Sequence, residues 1–471
     1  MKKNKKAFHY SMNSSVIIVG AIIITLLLNA ILVTLNDRFS LEIDFTEDGI
    51  YELTDTTKEL LDKLESDVEM IMFVKDNQSE MVTMLKTVLG KYTQHSSKLS
   101  VSEVNVVKDP SAVTAYDDII ESEKFTVGSL VLKNENKKEF VSSANFVTTD
   151  GYSNIERSVT SKLVNFVDGM SLSAITFTSG HGEAKATSTE TVLETDAYRI
   201  ETLDTLTQDF PSDKNSLVVI NAPKNDFSAE EIEKLDAYLD RGGNVMIAFD
   251  PQIDAKLERL ESYLAADWGI IRSNNIVVDQ KQQITGTPYS ILQFTDHDIV
   301  KPVKEESRYV VTSFSNSLEI APEVPQSVTV KEVLTTTQDA TETNIESLYG
   351  GVAMPDARVG KFNVMVAASR DNYIMEDNKT FTGHLVVCGS ESMFNSVILE
   401  SRFANEDVFL NAINWMKGSD SGISVRIKRM PGGSLTISQG HFWTWFVVLI
   451  VVVPLGLLIS GLVIWLKRRY K

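Results

Sequence analysis

The stretch Ala174–Glu183 reads Ala-Ile-Thr-Phe-Thr-Ser-Gly-His-Gly-Glu and joins a strand-like half to a polar turn. In that turn His181 and Glu183 are held together by Gly180 and Gly182. Glycine tolerates positive φ, so such a turn can bend sharply and present backbone N–H groups to a ligand. Because ligands of open α/β sheets bind beyond the carboxyl ends of strands, we predict a site for an anion, a carbonyl group or a sugar. The alternative is a strand-to-helix turn whose polar side chains hydrogen-bond locally.

Two further polar residues are predicted to lie at the same edge of the sheet. Asn221 ends the strand-like stretch Ser216–Asn221, and Asp250 follows the stretch Asn244–Phe249. Together with the glycine turn they would line one polar pocket. Asn and Asp at strand ends are also ordinary turn residues, so both interpretations stay open.

The chain lacks the usual companions of a catalytic site. It contains no Gly-x-Ser-x-Gly nucleophile elbow and no P-loop motif. Its six histidines are scattered, so metal ligands do not converge. Cys388, the only cysteine, follows Val387 and does not belong to a Gly-x-Cys-x-Gly pattern, so it is predicted to be a buried core thiol. We therefore predict no catalytic residue, no metal and no cofactor; a hydrolase using His181 and Glu183 is the weakest alternative.

The elements around the turn indicate a doubly wound α/β domain over residues 171–418. Strand-like and helix-like stretches alternate from Ala174 onward. Ser228-Ala229-Glu230-Glu231 is a strong capping box for one helix, and Thr187 with Glu190 is a weaker one. Residues from about 280 to 360 lose this rhythm and are predicted to form an irregular, β-rich insertion.

Residues 36–170 are predicted to form a first, smaller α/β domain. The predicted order is a strand, an amphipathic helix capped by Ser79, a second strand and a hairpin, followed by a linking helix. The stretches are Val68–Val74, Leu99–Val107, Phe125–Leu132, Glu139–Val141 and Ile155–Phe166. This order resembles a thioredoxin-like layer. Without a Cys-x-x-Cys motif it cannot be a dithiol oxidoreductase, so a packing or partner-binding module is expected.

Both ends of the chain carry an apolar stretch long enough to span a bilayer. Val16–Leu35 follows the basic tail of residues 1–15, and Phe442–Trp465 precedes the basic tail of residues 466–471. Residues 419–441 form a tether to the second span. Basic tails favour the cytoplasm, which places the large middle part outside the membrane. A cleaved signal peptide is the alternative for the first span, although it lacks a small-x-small cleavage site.

The charge balance restricts the partners of the middle part. The formal net charge is −19, while the two tails carry eight basic and no acidic residues, which leaves −27 for the remainder. Such acidity repels nucleic acid and anionic lipid headgroups. We therefore expect contact with the lipid bilayer through the two helices, and no nucleic-acid partner.

The order of several motifs resembles the gliding-motility-associated ABC transporter auxiliary family, the GldG-like proteins. The motifs are Asp44-Phe45-Thr46, Ile50-Tyr51-Glu52-Leu53-Thr54, Gly180-His181-Gly182-Glu183, Gly242-Gly243, Asp250-Pro251 and Asn411-Ala412-Ile413-Asn414-Trp415, followed by a basic-tailed span. The resemblance implies an extracytoplasmic subunit that works with an ABC ATPase and a multispan permease. It also implies a glutamine-amidotransferase-like α/β fold without the amidotransferase nucleophile.

These observations lead to one leading hypothesis and one main rival. The first is a non-catalytic, membrane-anchored auxiliary subunit of an ABC transporter in the cell membrane, with both termini cytoplasmic. The second is a stand-alone envelope module that binds a glycan or a peptide. A ligand-induced rise in melting temperature of the protein would favour the second.

Overall fold

The structure is a computed structural model that describes most of the chain between residues 49 and 469. The described residues are 49–76, 79–120, 125–148, 151–167, 174–212, 216–253, 255–304, 308–344, 357–375, 377–400, 402–417, 428–430 and 439–469, with Ile23, Leu27 and Ser347. Apart from Ile23 and Leu27, the first predicted span lies outside the described residues.

The first domain is a four-stranded mixed sheet with helices packed against it. Its elements are α1 (Asp55–Asp62), β1 (Val68–Val74), α2 (Glu80–His95), β2 (Leu99–Asn105), α3 (Ser111–Thr114), β3 (Leu130–Lys133), β4 (Lys138–Val141), β5 (Tyr152–Ser153) and α4 (Ile155–Leu163). The strands lie in the order β2-β1-β3-β4, with β1 and β2 parallel and β3 antiparallel to β1 and β4. The predicted order of strand, helix, strand and hairpin is present, although the hairpin begins at Leu130 rather than Phe125.

The second domain is built on one large sheet. Its elements are β6 (Ala174–Ser179), α5 (Thr187–Thr195), β7 (Arg199–Asp204), β8 (Leu217–Asn221), α6 (Ala229–Asp240), β9 (Asn244–Ala248), α7 (Glu258–Trp268), β10 (Ile270–Val278), β11 (Ser290–Ile291), β12 (Gln293–Phe294), α8 (Lys301–Lys304), β13 (Val311–Thr312), β14 (Ser315–Ile320), β15 (Val328–Thr335), β16 (Ala340–Thr343), β17 (Arg358–Gly360), β18 (Asn363–Ile374), β19 (Lys379–Cys388) and α9 (Asn405–Lys417). Among the described residues, twelve strands belong to this sheet. Five of them, β7-β6-β8-β9-β19, run parallel to one another.

Helices cover both faces of the parallel strands. Ile175 and Val219 pack with residues of α5 and α9 on one face. Val218 and Ile247 pack with residues of α6 and α7 on the other. Successive side chains of a strand point to opposite faces, so strands buried on both sides read as continuous apolar runs, as β8 does. This arrangement is a doubly wound α/β layer.

Capping of the helices next to the glycine turn follows the sequence in one case and departs from it in the other. Ser228 and Glu231 form the predicted capping box of α6. The predicted box at Thr187 is wrong, because α5 begins after Ala186, which makes no side-chain cap hydrogen bond. The Thr189 hydroxyl instead donates to the Phe394 carbonyl, which ties α5 to the loop after β19.

The β-rich region from about 280 to 360 is more regular than its sequence indicates. Strands β14 and β15 pair with β18, and β16 pairs with β10, all antiparallel. These strands therefore extend the parallel part of the sheet with an antiparallel part. The antiparallel strands belong to the main sheet and do not form a separate irregular insertion.

The last described segment returns to the first domain and then continues as helix. Its elements are β20 (Lys428–Arg429), α10 (Gln439–Phe446), a π-helical segment (Val447–Val452) and α11 (Val453–Arg469). β20 pairs with β5 of the first domain. Among the described residues, no single helix has both the length and the apolar character needed to cross a membrane.

Candidate functional site

The Gly180–Glu183 turn lies where the order of the parallel strands reverses. After β6 the chain forms β7 on one side, and then β8 on the other side. Open α/β sheets leave a ligand crevice at such a reversal. Asn221 ends the neighbouring strand β8 and lies beside the turn. Asp250 follows β9, which is two strands from β6, or roughly 10 Å at the usual strand spacing.

Both glycines of the turn adopt backbone conformations that other residues rarely take. Gly180 has φ of 112° and Gly182 has φ of 73°. A Cβ atom at Gly180 would lie 3.1 Å from Asp204 Oδ1 and 3.1 Å from Leu206 Cγ. The turn itself therefore requires glycine at position 180, both for its conformation and for the space around it.

His181 is buried, and its ring contacts two residues of the segment that begins α6. Its Nε2 lies 2.7 Å from Glu231 Oε1, and the ring stacks on Phe227 with 4.0 Å between centroids. Its carbonyl accepts from the backbone amides of Lys224 and Asn225 at 2.9 and 3.0 Å. These contacts join the turn after β6 to the loop before α6.

Glu231 holds a buried negative charge at the start of α6. One carboxylate oxygen faces His181, and the other accepts from the Ser228 amide at 2.9 Å. Burial acts to raise the pKa of this carboxyl, but hydrogen bonds from the Ser228 amide, His181 and Thr205 outweigh it and lower the pKa to about 2. A carboxylate in the first turn also interacts favourably with the helix dipole.

Glu183 and Asn221 close the crevice with the chain itself. Glu183 Oε2 accepts from the His181 amide at 2.8 Å, so this carboxylate binds its own loop. Asn221 Nδ2 donates to the Ala184 carbonyl at 2.9 Å, and the Ala184 amide donates to the Asn221 carbonyl at the same distance. Glu183 thus binds the turn itself, while Asn221 binds Ala184, the next residue along the chain. Local hydrogen bonds hold the turn, as the alternative interpretation expects, and Glu183 Oε1 is buried with no hydrogen-bond partner among the described residues.

Asp250 belongs to a different group at the same sheet edge. Its Oδ1 accepts from the Gln252 amide at 2.8 Å, which is an ordinary turn interaction. Its charge faces Glu391, which follows β19, rather than the glycine turn. Burial raises the pKa of the Glu391 carboxyl, and the charge of Asp250 pushes it the same way. None of the contacts described for Asp250 joins it to His181 or Glu183, and ligand binding by these residues stays a prediction.

The remaining reactive groups do not complete a catalytic set. Cys388 is fully buried at the end of β19, and burial raises the pKa of its thiol well above the usual range. It is therefore the core thiol that the sequence predicts. Among the described residues, no three His, Cys, Asp or Glu side chains converge as a metal site would require. A histidine paired with a carboxylate can orient a proton, and here the hydroxyl groups of Thr205 and Ser228 hydrogen-bond the carboxylate of the pair.

Sequence reasoning missed Glu231 and Phe227 as the partners of His181. The capping box marked Glu231 as the third residue of α6, but that motif uses only one carboxylate oxygen. The second oxygen was available for a partner, and His181 takes it from 50 residues away. Phe227, just before the cap, carried only an apolar signal.

A groove lies between the two domains, away from the glycine turn. This groove has a volume of about 710 Å³. One wall comes from β4 and α4 of the first domain and the other from α5 of the second. Its polar lining includes Lys138, Lys162, Ser161, Thr191 and Glu194. Ligand sites occur preferentially at such domain boundaries.

Comparison with known families identifies the large domain. Residues 173–370 match a family described as an ABC-type uncharacterized transport system, the ABC transporter auxiliary family. This match supports an auxiliary role in an ABC transport system, and the resemblance to an ABC transporter auxiliary family is confirmed. Residues 47–147 match a domain of unknown function (DUF7088), which corresponds to the first domain.

Comparison with individual proteins adds less. No curated protein shows a significant match to the chain. One similar solved structure is titled mmIFT52 N-terminal domain, with a TM-score of 0.37 and 18% sequence identity. The match covers 52% of this chain and 98% of that chain.

Proposed function

We propose that the protein is a non-catalytic, membrane-anchored subunit that works with a separate ABC ATPase and a multispan permease. The observation that carries this proposal is the auxiliary domain over residues 173–370. The order of the sequence motifs favours the GldG-like branch of such proteins. The doubly wound layer fits the glutamine-amidotransferase-like fold that this resemblance implies, and the first domain fits a thioredoxin-like layer without its dithiol.

Membrane anchoring is supported by both ends of the sequence. Val16–Leu35 and Phe442–Trp465 each have the length and apolar character of a spanning helix. Over the second stretch, α10, the π-helical segment and α11 follow one another without a gap. Apolar side chains such as Leu455 and Ile459 are more than half exposed there, as lipid-facing residues would be. The basic tails favour cytoplasmic termini and an extracytoplasmic middle part.

A non-catalytic role is supported by the state of the candidate site. His181 Nε2 and both oxygens of Glu231 are hydrogen-bonded within the fold, and Cys388 is buried. A hydrolase that used His181 as its base would need an accessible nucleophile near Nε2. The described contacts place Glu231 and Phe227 there instead.

Co-purification tests the transporter assignment. The tagged full-length chain would be extracted from its own cells in mild detergent, and we expect an ABC ATPase and a multispan permease to elute with it. A variant lacking residues 442–471 should lose much of the permease, because one of its two spans is gone. Isolation of the chain alone, across several mild detergents, would contradict the proposal.

Single-cysteine labelling tests the topology. Cys388 is buried, so a membrane-impermeant maleimide should leave the native protein almost unlabelled. Met375→Cys introduces a thiol at a position that is 85% exposed on the large domain. We expect this variant to be labelled on intact cells, and Lys3→Cys to be labelled only after the membrane is opened. The reverse pattern would place the large domain in the cytoplasm.

The stand-alone ligand-binding module remains the second candidate, and the groove between the domains favours it. A volume of about 710 Å³ lies in the usual range of ligand sites. A glycan or peptide that raises the melting temperature of wild type, but not of Thr191→Trp in the groove wall, would support this candidate. His181 is unsuitable for this test, because its burial makes any substitution there a packing change.

A further inference from the structure

Helix α4 lies between the two domains and is buried on almost every side. Eight of its nine residues are buried, among them the charged residues Glu156 and Arg157 and the neighbouring Ser158. Glu156 and Arg157 are each only 5% exposed. Consecutive residues of a helix point about 100° apart, so these two opposite charges serve different neighbours.

Glu156 binds the two chain segments that lead toward the predicted spans. Its Oε1 accepts from the Thr54 amide at 2.6 Å and from the Thr54 hydroxyl at 2.8 Å. Its Oε2 lies 2.6 Å from Lys428 Nζ, and this ammonium group also donates to the Glu52 carbonyl. Thr54 follows the first predicted span, and Lys428 precedes the second. One carboxylate thus joins both segments.

Arg157 binds the second domain. Its Nε donates to Asp196 Oδ1 at 2.5 Å, at the end of α5, and its Nη1 donates to Glu406 at the start of α9. Its Nη2 donates to the Val192 carbonyl of α5 at 3.4 Å. Burial raises the pKa of the Asp196 carboxyl, which the charge of Arg157 opposes. Buried charges in such a set are stable only while all of them are paired.

We propose that α4 couples the second domain to the two chain segments that lead to the predicted spans. A rigid helix with a buried ion pair on each side transmits displacement, because a half-broken pair leaves a charge without compensation. The groove between the domains opens beside this helix, with Ser161 on α4 and Thr191 on α5 in its walls. Arg157 joins α4 to α5 beside this groove. The link to the membrane rests on the proposed function, whereas the coupling itself does not.

Hydrogen exchange of the full-length protein in detergent tests the coupling in both directions. Glu406→Gln weakens the Arg157 side, and we expect exchange in the peptides of β5 and β20 to rise about fivefold or more, the lower end of ordinary allosteric coupling. Lys428→Met weakens the Glu156 side and retains the aliphatic stem. We expect it to raise exchange in α5 by a similar factor, because coupling between two sites is reciprocal.

Two controls separate coupling from general loosening. Exchange in β1 reports the core of the first domain and should not change in either variant. Lys86→Met breaks the exposed Lys86–Glu103 pair in the same domain and should leave β20 and α5 as in wild type. If Lys428→Met fails to fold, Lys428→Gln removes the charge opposite Glu156 and keeps a side-chain donor. If Glu406→Gln fails to fold, Glu406→Asp shortens the side chain that faces Arg157 and keeps the charge.

The proposal is overturned if each variant loosens its own side and leaves the other side unchanged. Equal loosening of β1 would also overturn it, since that would show global unfolding rather than a linked pair of contacts. The experiment needs neither ATPase nor permease. The coupling can therefore fail while the transporter assignment stands, and the reverse also holds.

Discussion

Glu231→Gln is the sharpest test of the structural role of the glycine turn. Glutamine has nearly the same shape, and its side-chain oxygen can still accept from the Ser228 amide in a capping box. Its amide group can also hydrogen-bond His181. The substitution therefore removes the negative charge and leaves the packing in place. We expect the free energy of unfolding of the second domain to fall by about 2–3 kcal/mol at pH 7.

The magnitude follows from the carboxylate's environment. Hydrogen bonds hold the pKa of Glu231 at about 2 against an ordinary value of 4.5, in spite of burial. Each unit of difference corresponds to about 1.4 kcal/mol, which gives roughly 3 kcal/mol for the ionised form. Because the pKa is lowered in the folded state, this stabilisation is complete above pH 4.5. It is lost as the pH falls from 4.5 to about 2.

Urea unfolding at several pH values provides the measurement. Trp268 is fully buried in the second domain, so its fluorescence reports the unfolding of that domain once the other four tryptophans are replaced by Phe. Glu230→Gln is the matched control, because the neighbouring Glu230 side chain is 77% exposed and pairs only with Lys234 one turn away. This control should cost less than about 0.5 kcal/mol.

The pH dependence distinguishes an effect of ionisation from an effect of packing. Wild type and Glu231→Gln should differ at pH 7 and converge as the pH falls below 4.5. Equal stability at pH 7 would show that the buried charge does not hold the turn. A difference that persisted unchanged to pH 2 would assign the effect to packing instead of ionisation, and would refute the electrostatic argument.

Three further predictions concern other parts of the fold. Gly180→Ala should lower the free energy of unfolding by about 1–3 kcal/mol, because it combines a positive φ with close contacts, whereas Gly90→Ala in the open interior of α2 should raise it by about 0.5–1 kcal/mol. Cys388 should resist aromatic disulfide reagents in the native protein, because burial raises the pKa of its thiol. Burial lowers the pKa of His297 from 6.5, so wild-type stability should fall as the pH drops below 6.5. His297→Asn should reduce that slope, because asparagine does not titrate, and its side-chain oxygen can still accept from the Ile299 amide.

Each of these has its own control. Gly286→Ala places a side chain at a φ of 80° with open space around it, so it isolates the conformational cost from the contact at Gly180. Equal effects of the two substitutions would contradict the contact argument. Rapid native modification of Cys388 would contradict its burial. His95→Asn changes an exposed histidine, and an equal loss of slope there would remove His297 as the cause.

Local chemistry explains which elements could be predicted from the sequence. The apolar run of β1 and the capping box of α6 appear in the structure at the predicted residues, because burial pattern and cap are properties of a few neighbouring positions. The antiparallel half of the large sheet was not predicted. Its register depends on partners far apart in the chain, such as Ile276 opposite Thr343, and no local pattern specifies that pairing.

The candidate site shows the same limit on a smaller scale. The glycines of the turn were predictable, since a sharp turn after a strand requires positive φ. The partner of His181 was not, because Glu231 already had a local role in capping α6. Asp250 was expected beside the turn because both follow parallel strands. The sheet edge is several strands wide, however, and β8 lies between β6 and β9.

The buried charges on α4 argue for a role beyond stability. Removing the Arg157 charge from water costs several kcal/mol, and well-packed apolar residues often stabilise such a position equally well. A set of paired charges differs from an apolar contact in how it fails: loss of one partner strands the others in a site without water. The contact between the domains is therefore either fully formed or strongly disfavoured, and partly formed contacts are rare. That behaviour suits a helix that joins the second domain on one side and two membrane-directed segments on the other.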